Sequence, residues 1–340
     1  MENFIKYVNI QNFKSIAKLK LEDCRRINLF IGYPNVGKSN VLEALSLFSV
    51  SCLEEGDSLN RLVRFENKYE LIHTEDTWTS IETDIESIEV SVCPNLSIFC
   101  DDNKYRTEYR FSPNSEFAGV YLMRKKESES HLTDFGGFNR YIFSPNIKDI
   151  RNTENFVGDN FLLPPFGENI IDVLSYNKDV IGVKEWMKQE FSKFNLEYVL
   201  DKASKSIKIQ RRLGEAEVLQ IPYSSIADTL QRVIFYKTAI ASNKNSVLLF
   251  EEPEAHAFPP YIQTIMQDII DAESNQFFIV THSPLVVNAF LEYEKLRKET
   301  AIYLFDYKND QTIAKRLSDE EMELAYEYGD DLFFNLENLL

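Results

Sequence analysis

Three short stretches carry residues whose types and spacing do chemistry. Gly32, Gly37, Lys38 and Ser39 fill every fixed position of G-x-x-x-x-G-K-S in the run GYPNVGKSN. Glycines at those places let backbone N–H groups turn inward around phosphate oxygens, and a helix that starts at the lysine adds its partial positive charge. The lysine reaches the β- and γ-phosphates, and the neighbouring hydroxyl coordinates Mg²⁺. The loop from Gly32 through Pro34, Asn35, Val36, Gly37, Lys38 and Ser39 to Asn40 is therefore the expected seat of a nucleotide's phosphates.

The second stretch, SVLLFEEPEAHAFP, ends the apolar run Val247 to Phe250 on Glu251 and Glu252. A phosphate loop needs a carboxylate on a neighbouring strand to hold Mg²⁺. Glu251 falls at that strand tip, one methylene longer than the usual aspartate, so Ser39 and Glu251 form the expected metal pair. Glu252 is then placed to orient or deprotonate an attacking water. The third stretch, FFIVTHSP, puts His282 just past another apolar strand, where it can hydrogen-bond a γ-phosphate. Glu252 and His282 are the expected catalytic residues.

These residues need elements to hold them. The apolar run RINLFI enters the loop, and Val41, Leu42, Leu45, Leu47 and Phe48 mark the buried face of the helix behind it. FIKYVNI and AKLKLE alternate with period two and read as strands. SVLLF, QFFIVT and AIYLF are further short strands. They are separated by a helix from about Pro260 to Ala272 and a short helix after His282, and preceded by the helix SIADTLQRVIFYKTAIAS. Strand, helix and strand at this spacing predict a parallel sheet built from both ends of the chain. Between the ends, YELIHTE, TSIETDIESIEVSV, LSIFCDD, KYRTEYRFS, AGVYLMRKK and RYIFS predict a meander of antiparallel strands. LPPFGENIIDVL and VKEWMKQEFSKF read as helices, followed by the short strands LEYVLD, SIKIQRR and EVLQIP.

Taken together, GYPNVGKSN, LLFEEPEAH and IVTHSP resemble the Walker A, Walker B and switch-histidine motifs of ABC-type ATPases. The opening VNIQNFKSIAKLKLE resembles the RecF, SMC and OLD branch. Within it the EEPEAH segment and the short chain look most like stand-alone ATPases of the abortive-infection, AbiLi-like, AAA group. The resemblance covers roughly residues 1–50 and 220–306. It implies an α/β fold, the P-loop ABC-ATPase head, with a mixed, largely parallel central sheet flanked by helices, an antiparallel β lobe and a small helical lobe. The expected organisation is one domain, with a nucleotide-binding core from 1–65 and 220–317 and an antiparallel β lobe over 66–150. A helical and β insert spans 160–222 and an acidic tail 318–340.

The same resemblance implies ATP and Mg²⁺ as ligands and hydrolysis to ADP and phosphate. It places Lys14 near the nucleotide phosphates, and Glu254, Ala255 and His256 where such heads meet. The segment YSSIADTLQR stands where the family's signature motif lies, but lacks LSGGQ. Ser224, Ser225, Asp228 and Thr229 are the candidates there, and a serine-capped helix start explains the serines equally well. The implied mechanism is a homodimer, or a higher oligomer of dimers, that closes head to tail around two nucleotides and reopens after hydrolysis.

Composition bounds the partners. Lys plus Arg number 37 against 54 Asp plus Glu, so the formal charge is −17 and the overall field repels nucleic acid. One local patch, KASKSIKIQRR from Lys202 to Arg212, is basic; it reads as a solvated strand edge or as a phosphate-backbone contact. The four cysteines lack metal-ligand spacing and are expected as free thiols. No apolar run approaches the roughly 20 residues a membrane span needs, and a cytoplasmic protein without membrane contact is expected. With no heptad run and few residues after His282, neither coiled-coil arms nor an OLD-type nuclease domain is expected. The clusters DEEME and GDD read as solvated charge, and FFNLENLL either docks a partner or tucks onto the core. Two functions remain. One is an ATP-driven sensor or scaffold that regulates a separately encoded effector, a nuclease or toxin, in antiphage defence. The other is a RecF-like DNA-repair clamp. A head that binds ATP without turnover is disfavoured by Glu252.

Overall fold

The computed structural model describes residues 4–53, 58–74, 78–93, 106–111, 119–126, 137–144, 161–328 and 332–340. Two strands, β1 (Val8–Phe13) and β2 (Ile16–Leu21), form a hairpin, and β3 (Ile27–Gly32) runs into the glycine loop and α1 (Lys38–Ser46). Then come β4 (Trp78–Thr83), β5 (Glu86–Cys93), β6 (Arg106–Phe111), β7 (Gly119–Lys126) and β8 (Gly137–Tyr141). The middle of the chain supplies α2 (Ile170–Tyr176), α3 (Ile181–Ser192), β9 (Glu197–Asp201), β10 (Ser206–Arg212) and β11 (Val218–Pro222). It continues with α4 (Asp228–Ser242), β12 (Ser246–Glu251), α5 (Pro259–Asp271) and β13 (Gln276–Val280). The chain closes with α6 (Pro284–Leu291), α7 (Glu294–Glu299), β14 (Thr300–Lys308), β15 (Gln311–Arg316), α8 (Asp319–Tyr328) and α9 (Leu336–Leu339).

The chain divides into two compact units. The first comprises Met1–Arg140, Asn245–Glu252 and Asn275–Leu340, and the second Tyr141–Lys244 and Pro253–Ser274. In the first, one sheet runs β15-β14-β3-β13-β12-β8, with β14, β3, β13 and β12 parallel and β15 antiparallel at the edge. Every residue of β3 and β13 is buried, which is why these strands read as unbroken apolar runs rather than alternating ones. A second sheet, β2-β1-β4-β5-β7-β6, is antiparallel throughout. Helix α1 packs against β1 of one sheet and β3, β12 and β13 of the other. Val41, Leu42, Leu45 and the following Phe48 thus join Ile10, Phe30, Leu249 and Phe278 in one core.

In the second unit α4 packs on α2, α3 and α5. Lys237 of α4 donates to Asp268 of α5 at 2.7 Å, and Tyr261 of α5 donates to Glu190 of α3 at 2.5 Å. Strands β11-β10-β9 make a small antiparallel sheet.

Local expectations fare differently. YELIHTE, expected as a strand, instead forms a short 3₁₀ turn over Lys68–Leu71. Asn67 caps that turn through Tyr69 N, and the amides of His73 and Thr74 donate to Asn12 Oδ1 of β1 (3.1 and 2.8 Å). The segment's hydrogen bonds therefore close its own turn or go to Asn12 and Lys14, with one bridge, Phe13 to Ile72. β15 was not anticipated; Asn309 and Asp310, both at positive φ, turn the chain into it from β14. LSIFCDD and GDD lie outside the described residues. In DEEME, Asp319, Glu321 and Glu323 are paired with Arg25, Lys315 and Arg297 on α8's face (2.7, 3.1 and 2.9 Å). In the final segment Leu336 is buried while Phe334 is exposed. Cys24 and Cys52 take part in no disulfide; the side chains of Cys93 and Cys100 lie outside what is described.

Candidate nucleotide site

The loop between β3 and α1 owes its shape to contacts behind it. Gly37 has φ +95°, and a Cβ there would lie 2.0 Å from Thr312 Oγ1 and 2.7 Å from Ser15 Oγ. Only glycine satisfies both constraints. A Cβ on Gly32 would meet the Phe305 carbonyl at 2.5 Å. The helix start is tied down by a chain of hydrogen bonds, Asn40 Nδ2 to Ser15 Oγ (2.7 Å) and Ser15 Oγ to Thr312 Oγ1 (2.6 Å). Asn40 thus braces the loop against the β1–β2 turn and β15. Val36 is buried in the core, whereas Pro34 and Asn35 are exposed, Asn35 at φ +63°.

Lys38 is buried, and its ammonium donates to the carbonyls of Gly32 (2.8 Å) and Tyr33 (2.7 Å). Burial lowers its pKa to about 8, against the pull of Glu252 and Glu251. A buried cation held by loop carbonyls fits an anion that is yet to arrive. Ser39 Oγ donates to Glu251 Oε1 at 2.5 Å, so the two expected metal ligands already touch. Burial pushes the Glu251 carboxyl up, but Arg140, the Ser39 hydroxyl and Arg64 together hold it below the usual range.

Glu252 follows at φ +46°, a left-handed conformation rare for glutamate, with its amide donating to Val280 O at 2.9 Å. Its Oε1 lies 3.6 Å from His282 Nε2, and both side chains are partly exposed. Burial and the Lys38 charge push the His282 pKa below its ordinary value, against the pull of Glu252, leaving a neutral imidazole near pH 7.

Beneath these lies a charge cluster that sequence reasoning missed. Glu43 of α1 is fully buried and paired with Lys14 and with Arg64 Nε (2.6 Å). Arg140, on β8 and fully buried, donates to Glu251 Oε2 at 2.6 Å. Lys14 also donates to the Arg64 carbonyl at 2.5 Å, and burial lowers its pKa against the pull of Glu43. Lys14 is thus engaged with the cluster.

The first unit therefore gathers Lys14, the loop from Gly32 to Asn40, Glu251, Glu252 and His282. Ser225, Asp228 and Thr229 belong to the second unit. There, Ser224 and Ser225 sit in a short 3₁₀ turn, and Ala227, not a serine, precedes α4 with no side-chain cap. Asp228 occupies the first turn, where a carboxylate complements the helix dipole. Thr229 Oγ1 donates to the His256 carbonyl at 3.0 Å, His256 itself being at φ +58°. The basic patch is largely answered locally: Lys208 pairs with Asp201, and Arg212 Nε lies 3.7 Å from Glu197. Among the described residues no group of three or more His, Cys, Asp or Glu is arranged to hold a metal. Mg²⁺ suits such a site, because it takes one or two protein oxygens and the substrate's phosphates.

Residues 27–288 match the family described as "AAA domain, putative AbiEii toxin, Type IV TA system". The chain belongs to this family. It is similar to RecF over a short stretch and to SMC heads in fold. RecF, the DNA replication and repair protein of Caldanaerobacter subterraneus, is 38% identical over 66 residues, which is 19% of this chain and 18% of RecF. The chain thus matches under a fifth of the length of these RecF relatives. An ATP/GTP phosphatase of Helicobacter pylori is 22% identical over 97% of the chain and its own whole length. The Smc head domain of Pyrococcus furiosus, solved bound to the C-terminal domain of ScpA, superimposes with a TM-score of 0.52 at 12% identity. That alignment covers 96% of this chain and all of the Smc chain. This likeness shows the fold, the α/β ABC-ATPase head. No described helix is long and apolar enough to cross a membrane.

Proposed function

We propose that the protein binds ATP with Mg²⁺ at the β3–α1 loop and hydrolyses it. The observation that carries this reading is the juxtaposition of Ser39 and Glu251 at 2.5 Å with the buried Lys38 ammonium and the Glu252–His282 pair. Loop amides and Lys38 hold the phosphates. Ser39 and Glu251 would hold the Mg²⁺, which would supply positive charge against the phosphates. Glu252 accepts the proton of a water that attacks the γ-phosphorus as the bond to the bridging oxygen breaks, giving ADP and phosphate. His282, neutral, donates a hydrogen bond to a γ-phosphate oxygen. Phosphate release measured in single turnover tests this directly. Glu252→Gln is expected to bind nucleotide and release phosphate at least about a hundredfold more slowly. Equal rates in both proteins would remove Glu252 from the mechanism.

The wider reading is an ATP-controlled switch in the cytoplasm. The chain acts as one ATPase domain, dimerises head to tail around ATP with Ser225, Asp228 and Thr229 facing the partner's nucleotide, and regulates a separately encoded nuclease or toxin in antiphage defence. The family's description, which names a toxin–antitoxin system, supports the defence role. The RecF match favours the second reading, an ATP clamp on DNA. The pairing of Lys208 and Arg212 with carboxylates and the net charge of −17 weigh against it. Titrating duplex DNA at about 50 and 200 mM salt, with and without ATP, separates the two. Salt-steep, ATP-dependent binding supports the clamp.

A further inference from the structure

We propose that Arg140 is a resident counter-cation that keeps the Glu251 carboxylate closed to divalent ions until nucleotide arrives, so that metal enters this site only with the phosphates. This rests on the nucleotide reading above and adds a positioning residue to it.

Both oxygens of Glu251 are taken. Oε1 accepts from Ser39 Oγ (2.5 Å) and Arg64 Nη2 (3.3 Å), and Oε2 accepts from Arg140 Nη2 (2.6 Å). The two arginines differ in freedom. Arg64 has a side chain 67% exposed, with its Nε on Glu43 and only a long 3.3 Å contact to Glu251. Arg140 is 1% exposed, its Nη1 is bonded to the Leu62 carbonyl at 2.7 Å, and its Nη2 lies 3.8 Å from the buried Glu43. It sits on the strand beside the one that carries Glu251. A guanidinium held in this way cannot leave when a cation approaches.

A bare divalent ion at Ser39 and Glu251 would therefore meet a fixed positive charge within a few ångströms, in surroundings that screen poorly. It would also have to share a carboxylate already neutralised by a fixed guanidinium that donates to it through Nη2. A nucleotide changes the sum of charges. Its phosphates bring negative charge to the Lys38 side of the site and supply the remaining oxygens that Mg²⁺ requires. Arg140 then holds Glu251 Oε2 while Oε1 and Ser39 Oγ turn to the ion. The residue thereby orders the binding, nucleotide and metal together, and fixes the rotamer of the metal-facing carboxylate.

The test counts bound Mn²⁺ on the full chain by loss of the free-ion electron paramagnetic resonance signal, with and without a non-hydrolysable ATP analogue. Without nucleotide, Arg140→Met should bind Mn²⁺ about tenfold more tightly than wild type. Adding Glu251→Gln should remove that gain, and Arg140→Lys, which keeps the charge, should behave as wild type. Thermal unfolding reports whether each variant is folded. A folded Arg140→Met with unchanged or weaker Mn²⁺ binding overturns the proposal. Should Arg140→Met fail to fold, wild type decides: Mn²⁺ binding as tight without the analogue as with it also overturns it. A fluorescent ATP analogue titrated without metal reports on the nucleotide reading separately. Loss of that binding in wild type would sink the nucleotide site while leaving the metal arms of the experiment readable.

Discussion

At the scale of single residues, Lys38 sets a measurable pH dependence. Burial disfavours its charge and pushes the ammonium down to about 8, against 10.5 for an ordinary lysine. Between those values the unfolded chain holds more protons than the folded one, so this residue's contribution to stability rises with pH across that window. Phosphates favour the charged form. Nucleotide binding at about pH 8.5 should therefore take up protons, read by calorimetry in two buffers of different ionisation heat. Lys38→Met should abolish both the uptake and the binding; binding without proton uptake would contradict the assigned contact. Lys38, Ser39, Glu251, Glu252 and His282 are readable from sequence because each follows an apolar strand at fixed spacing. Arg140 is not. Its partner lies 111 positions away, and a lone arginine in GFNRYIF gives no sign of what it will face. The only trace is the cost of burying a charge in an apolar strand, which demands an anion somewhere.

At the scale of elements, the loop's shape depends on the β1–β2 turn and the β14–β15 hairpin closing on it. Gly37→Ala would drive a methyl into Thr312 and strain a residue at φ +95°. A loss of about 2 kcal/mol or more in stability is expected, together with loss of nucleotide binding, read by denaturant melts and by titration. Asn12 fastens the neighbouring segment through Oδ1, which accepts from His73 N, Thr74 N and Thr74 Oγ1. Asn12→Ala should cost about 1 kcal/mol, since three partly buried donors lose their shared acceptor. A melt indistinguishable from wild type would show that water replaces it. The parallel strands are legible in sequence because burial on both faces makes them unbroken apolar runs. The turn at Lys68–Leu71 is not, since YELIHTE has strand-like composition and the distant Asn12 claims the amides of His73 and Thr74. β15 is polar enough, as QTIAKR, to pass for loop; the Asn-Asp pair before it was its one local signal of a hairpin.

At the scale of the whole molecule, the nucleotide residues and the candidate signature residues fall in different units of the chain. In the second, Thr229 binds the carbonyl of His256. In the proposed closed dimer each α4 start meets the partner's γ-phosphate, so a protein that cannot hydrolyse ATP should accumulate in that form. The decisive measurement is light scattering behind size-exclusion chromatography on Glu252→Gln, with Mg²⁺ and with or without ATP. The expected result is an ATP-dependent shift to about twice the apo mass, while wild type returns to its apo size as ATP is consumed. Glu252→Gln that binds ATP yet keeps its apo mass would contradict the two-protomer switch and remove Ser225, Asp228 and Thr229 from the site.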